Sequence, residues 1–373
     1  MAKERNEADS GGTMKHSFGK HVGWRAFTAA ATLAVAPAIS FAADGTAPPN
    51  GRIAYVTTDM YWGVYQTADG KAECPDGLNK YGPREVFAKL YPKGGTEVDT
   101  HLAREALKYF PEDSKDNFPM PEARGPIAIG LNLDGKVGPN DFTSPEGEQG
   151  IDNALYRVIG CSPQFRGPEG QFRLFGNRLV RQLTYNRSII ELSGVDSLQN
   201  DDSVQVTILR GLDPLLTDAG GDKIMPGGTQ RVDNRFSKRF YNQLQGKIVN
   251  GVLETEAKDV TWPWAVFFGN TNEYRFRGMQ FRLKLTDDGR AEGLMAGYAD
   301  VETYYRTVMG WSTHHLSYGQ LDPSGFWRKL WQHADGYPDQ NGKMTAISSS
   351  VNIYMVQVYL DRGEPSITVS QSR

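Results

Sequence analysis

The second half of the chain alternates apolar and polar residues with a period of two, which is the pattern of half-buried β-strands. The alternation is clearest where Phe281, Leu283 and Leu285 are separated by Arg282 and Lys284. The same pattern predicts strands at residues 203–209, 247–255, 264–268, 272–285, 291–298 and 351–360. Such strands, joined by Gly- and Pro-rich turns, are typical of antiparallel sheets.

Helical periodicity is much rarer and is concentrated near the N-terminus. There it predicts helices at 83–91 and 97–110, between strand-like segments at 52–57 and 127–129, and a third helix at 153–159. In the second half one amphipathic helix is predicted from Pro323 to His333. Its cap is Asp322, and its apolar face comprises Phe326, Trp327, Leu330 and Trp331.

These elements predict a mainly β protein, an antiparallel β-sandwich of jelly-roll type. A small mixed α/β region precedes the sandwich, and the amphipathic helix lies in the C-terminal half. We expect a signal peptide at 1–42, the mixed region at 43–170 and the sandwich domain at 171–373.

The N-terminus predicts export. Lys15, Lys20 and Arg25 precede an apolar, alanine-rich run over 26–42, which ends in Ser-Phe-Ala with small residues at the positions that a signal peptidase requires. A membrane anchor is the alternative, but the run is short and Pro37 interrupts it. We therefore expect a periplasmic or secreted protein without a transmembrane segment in its mature chain.

The composition of the mature chain excludes some classes of function. Cleavage after Ala42 removes five basic and three acidic residues, which leaves 36 Lys and Arg against 41 Asp and Glu and a formal charge of −5. A mildly acidic chain does not favour binding to nucleic acids. Its 41 glycines, 20 prolines and 11% aromatic residues indicate a turn-rich β protein with a substantial core.

Two cysteines, Cys74 and Cys161, are present, and both belong to the mature chain. An oxidising compartment favours a disulfide between them. Two buried free thiols are the alternative, because a sequence does not reveal whether the two residues are close in space.

The segment from Gly130 to Asp141 resembles a calcium-binding loop of the EF-hand type. Asn132, Asp134 and Asp141 occupy three ligand positions, and Lys136 supplies the position that binds through its carbonyl. The loop is similar to the loop of dockerin modules over these twelve residues. It differs from that family because Gly130 replaces the leading acid, Pro145 interrupts the following helix and a second loop is absent, so cohesin binding is not expected.

A nearby acid can replace the missing ligand, and Glu148 and Asp152 are the candidates. The sequence thus predicts calcium bound by Asn132, Asp134, the Lys136 carbonyl, Asp141 and one of these acids. The alternative is an ordinary turn whose Asn and Asp side chains bond to their own backbone.

No catalytic motif selects an active site. The adjacent His314 and His315 would point to opposite faces of a strand, and His333 would lie at a helix C-terminus, where a histidine is favourable for structural reasons. Two further groups of residues have a structural interpretation as well. The acids of segment 213–233 would cap turns. The aromatic residues at 262–276 and 304–331 would lie in the core. If exposed, the aromatic residues would form a platform for sugars.

These observations favour an exported, non-catalytic binding or structural protein that is stabilised by calcium. Its ligand is unknown, and a carbohydrate or another exported protein are the classes to test. The alternative is a secreted hydrolase that uses carboxylates and acts on glycans, with its site in the loops around 213–233 and 298–315.

Overall fold

Thirteen strands and four α-helices make up the described part of the molecule. The computed structural model describes residues 47–79, 92–94, 111–113, 120–168, 170–182, 187–235, 239–264, 273–311 and 323–363. The strands are β1 (Arg52–Trp62), β2 (Phe142–Thr143), β3 (Gln149–Ile151), β4 (Ser188–Ser193), β5 (Asn200–Arg210), β6 (Gly228–Arg231), β7 (Asn242–Val249), β8 (Val252–Thr255), β9 (Lys258–Trp262), β10 (Tyr274–Thr286), β11 (Arg290–Asp300), β12 (Gly336–Pro338) and β13 (Met344–Asp361). The helices are α1 (Ala154–Ile159), α2 (Gln171–Gln182), α3 (Val301–Trp311) and α4 (Pro323–Gln332), and short 3-10 helices lie at Pro49–Gly51, Pro111–Asp113 and Pro163–Phe165.

Eight of these strands form a closed barrel. The order around it is β1-β4-β5-β7-β8-β10-β11-β13, and β13 pairs again with β1. Each of these pairings is antiparallel. The predictions of a mainly β protein and of an antiparallel sheet are therefore confirmed. The arrangement is a barrel, where the sequence predicted a sandwich, because strand alternation is the same in both and only the β1–β13 pairing closes the sheet.

Some predicted elements differ in detail. The predicted strand at 247–255 is a hairpin of β7 and β8, because Asn250 and Gly251 adopt φ angles of 51° and 77° and form the turn. The helix predicted at 323–333 is α4, whereas α2 and α3 were not predicted. The helices predicted at 83–91 and 97–110 lie outside the described residues, as do the predicted signal peptide and Asp322, the candidate cap of α4.

The barrel is filled by side chains. Its core contains alternate residues of the strands together with most of the aromatic residues singled out above, among them Trp262, Trp264, Tyr274 and Tyr304. Their structural interpretation as core therefore holds for the described residues. A second, smaller cluster lies outside the wall, where segment 211–233 covers Ala54, Val56, Ile189, Leu209, Val356 and Val358.

The described residues between β1 and α2 pack against this barrel. Cys74 and Cys161 form the predicted disulfide, with their Cα atoms 5.7 Å apart and a sequence separation of 87. In the chain-entropy model such a link contributes about 4 to 5 kcal/mol. Residues Phe41–Arg373 form one compact unit. Both predicted regions contribute to its main core, and the division at residue 170 stays a prediction.

No helix in the described ranges has the length and apolar character that a membrane crossing needs.

Candidate functional site

The candidate calcium loop is fixed at both ends by backbone contacts with the segment that follows it. Leu131 forms an antiparallel bridge with Asp152, and Ile127 forms a parallel bridge with Thr143. Gly135 has a φ of 73°, so the tight bend in the loop requires a residue without a side chain. The loop is therefore a defined turn beside the start of α1.

Inside the loop, the predicted ligands bond to the loop's own backbone. The Asn132 Nδ2 donates to the Lys136 carbonyl at 2.7 Å, and the Lys136 N–H donates to Asp134 Oδ1 at 2.8 Å. The Gly138 N–H donates to Asp141 Oδ2. These are the hydrogen bonds of the turn alternative. The second carboxylate oxygen of Asp134 lies 3.8 Å from the exposed Lys136 ammonium, and the second oxygen of Asp141 remains for other partners.

The structure explains why the leading position holds glycine. A Cβ atom on Gly130 would lie 2.8 Å from Cγ2 of Ile151, so an acid does not fit there. Asp152 approaches the loop instead: its Oδ2 accepts the N–H of Leu133 at 2.6 Å and that of Asp134 at 3.4 Å. The cap of α1 is Asn153, which accepts the Tyr156 N–H, and this leaves the Asp152 side chain to the loop.

Three of the predicted ligands line one open cleft of about 430 Å³. They are Asp134, Asp141 and Asp152, and a fourth carboxylate, Asp335, joins them from the segment that follows α4. Tyr298, Arg157 and His333 also contribute to the lining. Four carboxylates therefore face one guanidinium and one imidazole, so the cleft is strongly acidic.

Asp335 is held by β13. The Ser348 N–H donates to its Oδ1 at 2.7 Å, and the Ser348 hydroxyl donates to its Oδ2 at 2.5 Å. The same hydroxyl oxygen accepts the Ala154 N–H at 2.8 Å, which ties the start of α1 to the carboxylate. The residue lies at the exposed rim of the cleft, but its carboxylate is enclosed by these partners.

Two carboxylates of the cleft, those of Asp152 and Asp335, have raised pKa values. Burial raises the pKa of Asp152 to about 6 against the effect of the Leu133 N–H, and the charges of Asp134 and Asp141 raise it too. Burial also raises the pKa of Asp335 to about 6, and Asp152 adds repulsion. Both groups are ionised at neutral pH at a free-energy cost, which a bound cation would reduce.

A small network forms the rim near His333. Its Nε2 is 3.0 Å from Oε2 of Glu122, and Lys329 pairs with the other oxygen of the same carboxylate. Burial lowers the pKa of His333, although Glu122 acts in the opposite direction, so the imidazole is neutral at pH 7. The Arg157 guanidinium lies 4.3 Å from the Phe142 ring centre and donates to the Ala123 carbonyl.

The remaining predicted ligands do not line the cleft. The side chain of Asn132 and the carbonyl of Lys136 bond to each other. Glu148 accepts two hydrogen bonds from Arg282 on β10, at 2.7 and 3.2 Å. Asp335 was not predicted, because it follows Asp152 by more than 180 residues and no local motif links them.

The carboxylates share the cleft without forming a finished metal cage. Among the described residues, no group of three or more His, Cys, Asp or Glu side chains is arranged so that it could hold a metal ion. An ion would need water and backbone oxygens in addition, as calcium, with its flexible shell of six to eight oxygens, accepts.

Three acids of segment 211–233, Asp213, Asp218 and Asp233, have cationic or backbone partners. Asp213 binds Arg231 through two hydrogen bonds of 2.9 and 2.6 Å, and Asp233 pairs with Arg210 and Arg235. The Asp218 carboxylate accepts the backbone N–H groups of the turn that follows it. The interpretation of these acids as structural groups therefore fits the described contacts, and residues 312–315 of the other loop lie outside the described ranges.

Comparison with models of protein families, with curated proteins and with solved structures finds no match to this chain.

Proposed function

We propose that this protein is an exported, non-catalytic binding protein whose acidic cleft takes up calcium. The observation that carries the proposal is that Asp134, Asp141, Asp152 and Asp335 line one cleft that is open to solvent. Carboxylates are the preferred ligands of calcium. The negative charge of the four carboxylates exceeds the positive charge of the cleft lining.

Export is part of the proposal and is supported by two features. The Cys74–Cys161 disulfide is typical of oxidising compartments. The N-terminal sequence has the order of a signal peptide, with basic residues, an apolar run and small residues in succession. Extracytoplasmic calcium sites bind with a Kd of about 0.1 to 1 mM, so even an incompletely formed site has a role there.

Calcium would act on the loop that the carboxylates share. Asp134 and Asp141 belong to the loop itself, whereas Asp152 precedes α1 and Asp335 follows α4. One ion bound among them would link these segments across the cleft and lower the repulsion between the charges. We therefore expect calcium to stabilise the folded protein.

The test is thermal unfolding with calcium and with a chelator. At ten times its Kd, the ion is expected to add about 1.4 kcal/mol to the free energy of unfolding by mass action. Asp152→Asn should remove most of this increment. Asp287→Asn, the same chemical change in the exposed turn at the opposite end of β11, should leave it unchanged. Equal melting temperatures in calcium and chelator would contradict the proposal.

A second candidate function is favoured by the pKa values in the cleft. Asp152 and Asp335 have a pKa of about 6, close to the values that suit a general acid and a general base. A carboxylate-based hydrolase acting on glycans would use them as such a pair. In that case the wild type cleaves glycosidic bonds, both Asp→Asn variants lose activity and calcium inhibits. Absence of cleavage leaves the binding function as the better proposal.

A further inference from the structure

A second, larger concavity lies on the outer wall of the barrel, on the other side of the loop. It encloses about 540 Å³ and crosses β5, β7, β8 and β10, which are neighbours in the sheet. Four adjacent strands at their usual spacing give a width of about 14 Å. Leu131 of the candidate calcium loop forms one boundary. We call this surface the wall groove, and it suits an elongated ligand that runs across the strands.

The side chains that line the wall groove are polar. Asp202, Gln245 and Glu256 are exposed, and Gln280 and Arg282 extend from β10. The apolar residues of the lining, Leu131 and Phe281, are themselves buried. An apolar ligand would therefore find little surface to cover, whereas a ligand rich in hydroxyl groups would find amides and carboxylates as partners.

The charge of the wall groove disfavours anionic ligands. Arg282 is already shared between Glu148 and Glu254, and Lys247 lies 3.8 Å from Glu254. The cations of the wall groove are thus neutralised within the protein. Asp202 and Glu256 remain beside Gln245, which disfavours an anionic chain. A neutral ligand avoids this repulsion and can form hydrogen bonds with the amides and carboxylates of the lining.

We propose that the wall groove binds a neutral, polyhydroxylated chain, that is, an oligosaccharide. This inference rests on the proposed role as a binding protein but not on its calcium site. No exposed aromatic ring is present in the lining, so stacking does not contribute and the binding is weak. The location differs from the aromatic platform that the sequence suggested, because the aromatic residues of that platform that the structure describes lie in the core or pack against it.

The test is a titration of the ¹⁵N-labelled protein with cellotetraose, maltotetraose and N-acetylchitotetraose, in calcium and again in chelator. The side-chain amide signals of Gln245 and Gln280 are expected to shift with at least one of these sugars. Gln245→Ala should weaken binding about threefold to tenfold, the effect of one neutral hydrogen bond. Gln243→Ala is the matched control, because Gln243 lies two residues away on β7, is exposed and is outside the wall groove.

The outcomes separate the proposals. No shift with any of the three sugars, or an equal loss of affinity in the Gln243→Ala control, overturns the inference. So does an equally strong response to a neutral Gly-Ser peptide of similar length, because the ligand class would then be wrong. Shifts that persist in chelator support the wall groove even if the cleft fails to bind calcium, and calcium binding without these shifts supports the cleft alone.

Discussion

Carboxylates that are enclosed in two different regions of this molecule have opposite pKa shifts. Beside the disulfide, Glu73 is 1% exposed and accepts hydrogen bonds from Arg166 and from Thr67. Burial alone would raise its pKa, but these partners outweigh burial and lower the pKa to about 2. In the acidic cleft, burial raises the pKa of Asp152 and of Asp335 to about 6.

The difference lies in the hydrogen-bonding partners of these carboxylates. Arg166 also donates to the Gly160 carbonyl at 2.7 Å, so one guanidinium joins Glu73 to the residue before Cys161. The cleft has backbone N–H groups and a serine hydroxyl for its carboxylates, but their neighbours include further acids. The charge of a buried carboxylate that pairs with its own cation is compensated within the protein. Carboxylates grouped without one form a site that favours an external cation.

The largest expected effect comes from breaking the complete pair. Glu73→Gln leaves the guanidinium of Arg166 buried without its counter-charge, and we expect a loss of about 3 kcal/mol or more in the free energy of unfolding. Urea denaturation at pH 7 measures it. Glu146→Gln, the same change at an exposed position, should cost much less. A loss below about 1 kcal/mol for Glu73→Gln would mean that the pair does not stabilise the fold, since exposed pairs contribute that little.

Glu73 and the two cleft carboxylates should change the free energy of unfolding in opposite directions as the pH is lowered. The pKa of Glu73 is lower in the folded state than in the unfolded chain, so its contribution is complete above about pH 4.3 and is lost as the pH falls towards 2. Asp152 and Asp335 have a folded pKa of about 6, above an unfolded value of about 3.9, so they destabilise the ionised protein and this cost is removed between pH 7 and pH 4.

Without calcium, we therefore expect stability to rise as the pH is lowered from 7 to about 5 and to fall below about pH 4. For Asp152 the shift of about two pKa units corresponds to at most about 2 to 3 kcal/mol. Chemical denaturation across this pH range, in chelator, gives the profile. A continuous loss of stability from pH 7 downward would show that the cleft carboxylates are as well compensated as Glu73.

The sequence predicted the local features of the fold, and the structure shows why it did not predict the rest. Period-two alternation located β10, β11 and β13, because each side chain's environment is decided within its own strand. Barrel closure depends on β1 meeting β13, which lie about 300 residues apart in sequence. The hairpin at Asn250-Gly251 was a missed local signal, since this dipeptide favours a two-residue turn inside an otherwise continuous pattern.

The candidate site likewise combines residues that the sequence revealed with residues that only the fold brings together. The loop and its acids were visible in the sequence because they are close together, and Asp134, Asp141 and Asp152 do line one cleft. The role of Glu148 was not visible, because its partner Arg282 comes from a distant strand. Asp335 was missed for the same reason. Charge compensation by distant residues is a tertiary property, and it decides which acids remain for a ligand.

The smallest and most discriminating effect is expected from Asp152→Asn in the absence of calcium. The amide keeps an oxygen that accepts the Leu133 N–H but removes the charge that Asp134, Asp141 and burial disfavour. At pH 7.5 we expect this variant to be more stable than the wild type by about 1 kcal/mol, since part of the gain is offset by a weaker hydrogen bond.

At pH 5 the advantage of Asp152→Asn should largely disappear, because the wild-type carboxyl is then mostly protonated. Asp339→Asn is the control, since Asp339 also accepts two backbone N–H groups, from Asn341 and Lys343, but in an exposed turn. It should show no gain at either pH. If Asp152→Asn instead destabilises the protein at pH 7.5, as Glu73→Gln is expected to do, Asp152 serves the fold as a cap of the loop. The contrast between the two regions, and with it the argument for a cation in the cleft, would then fail.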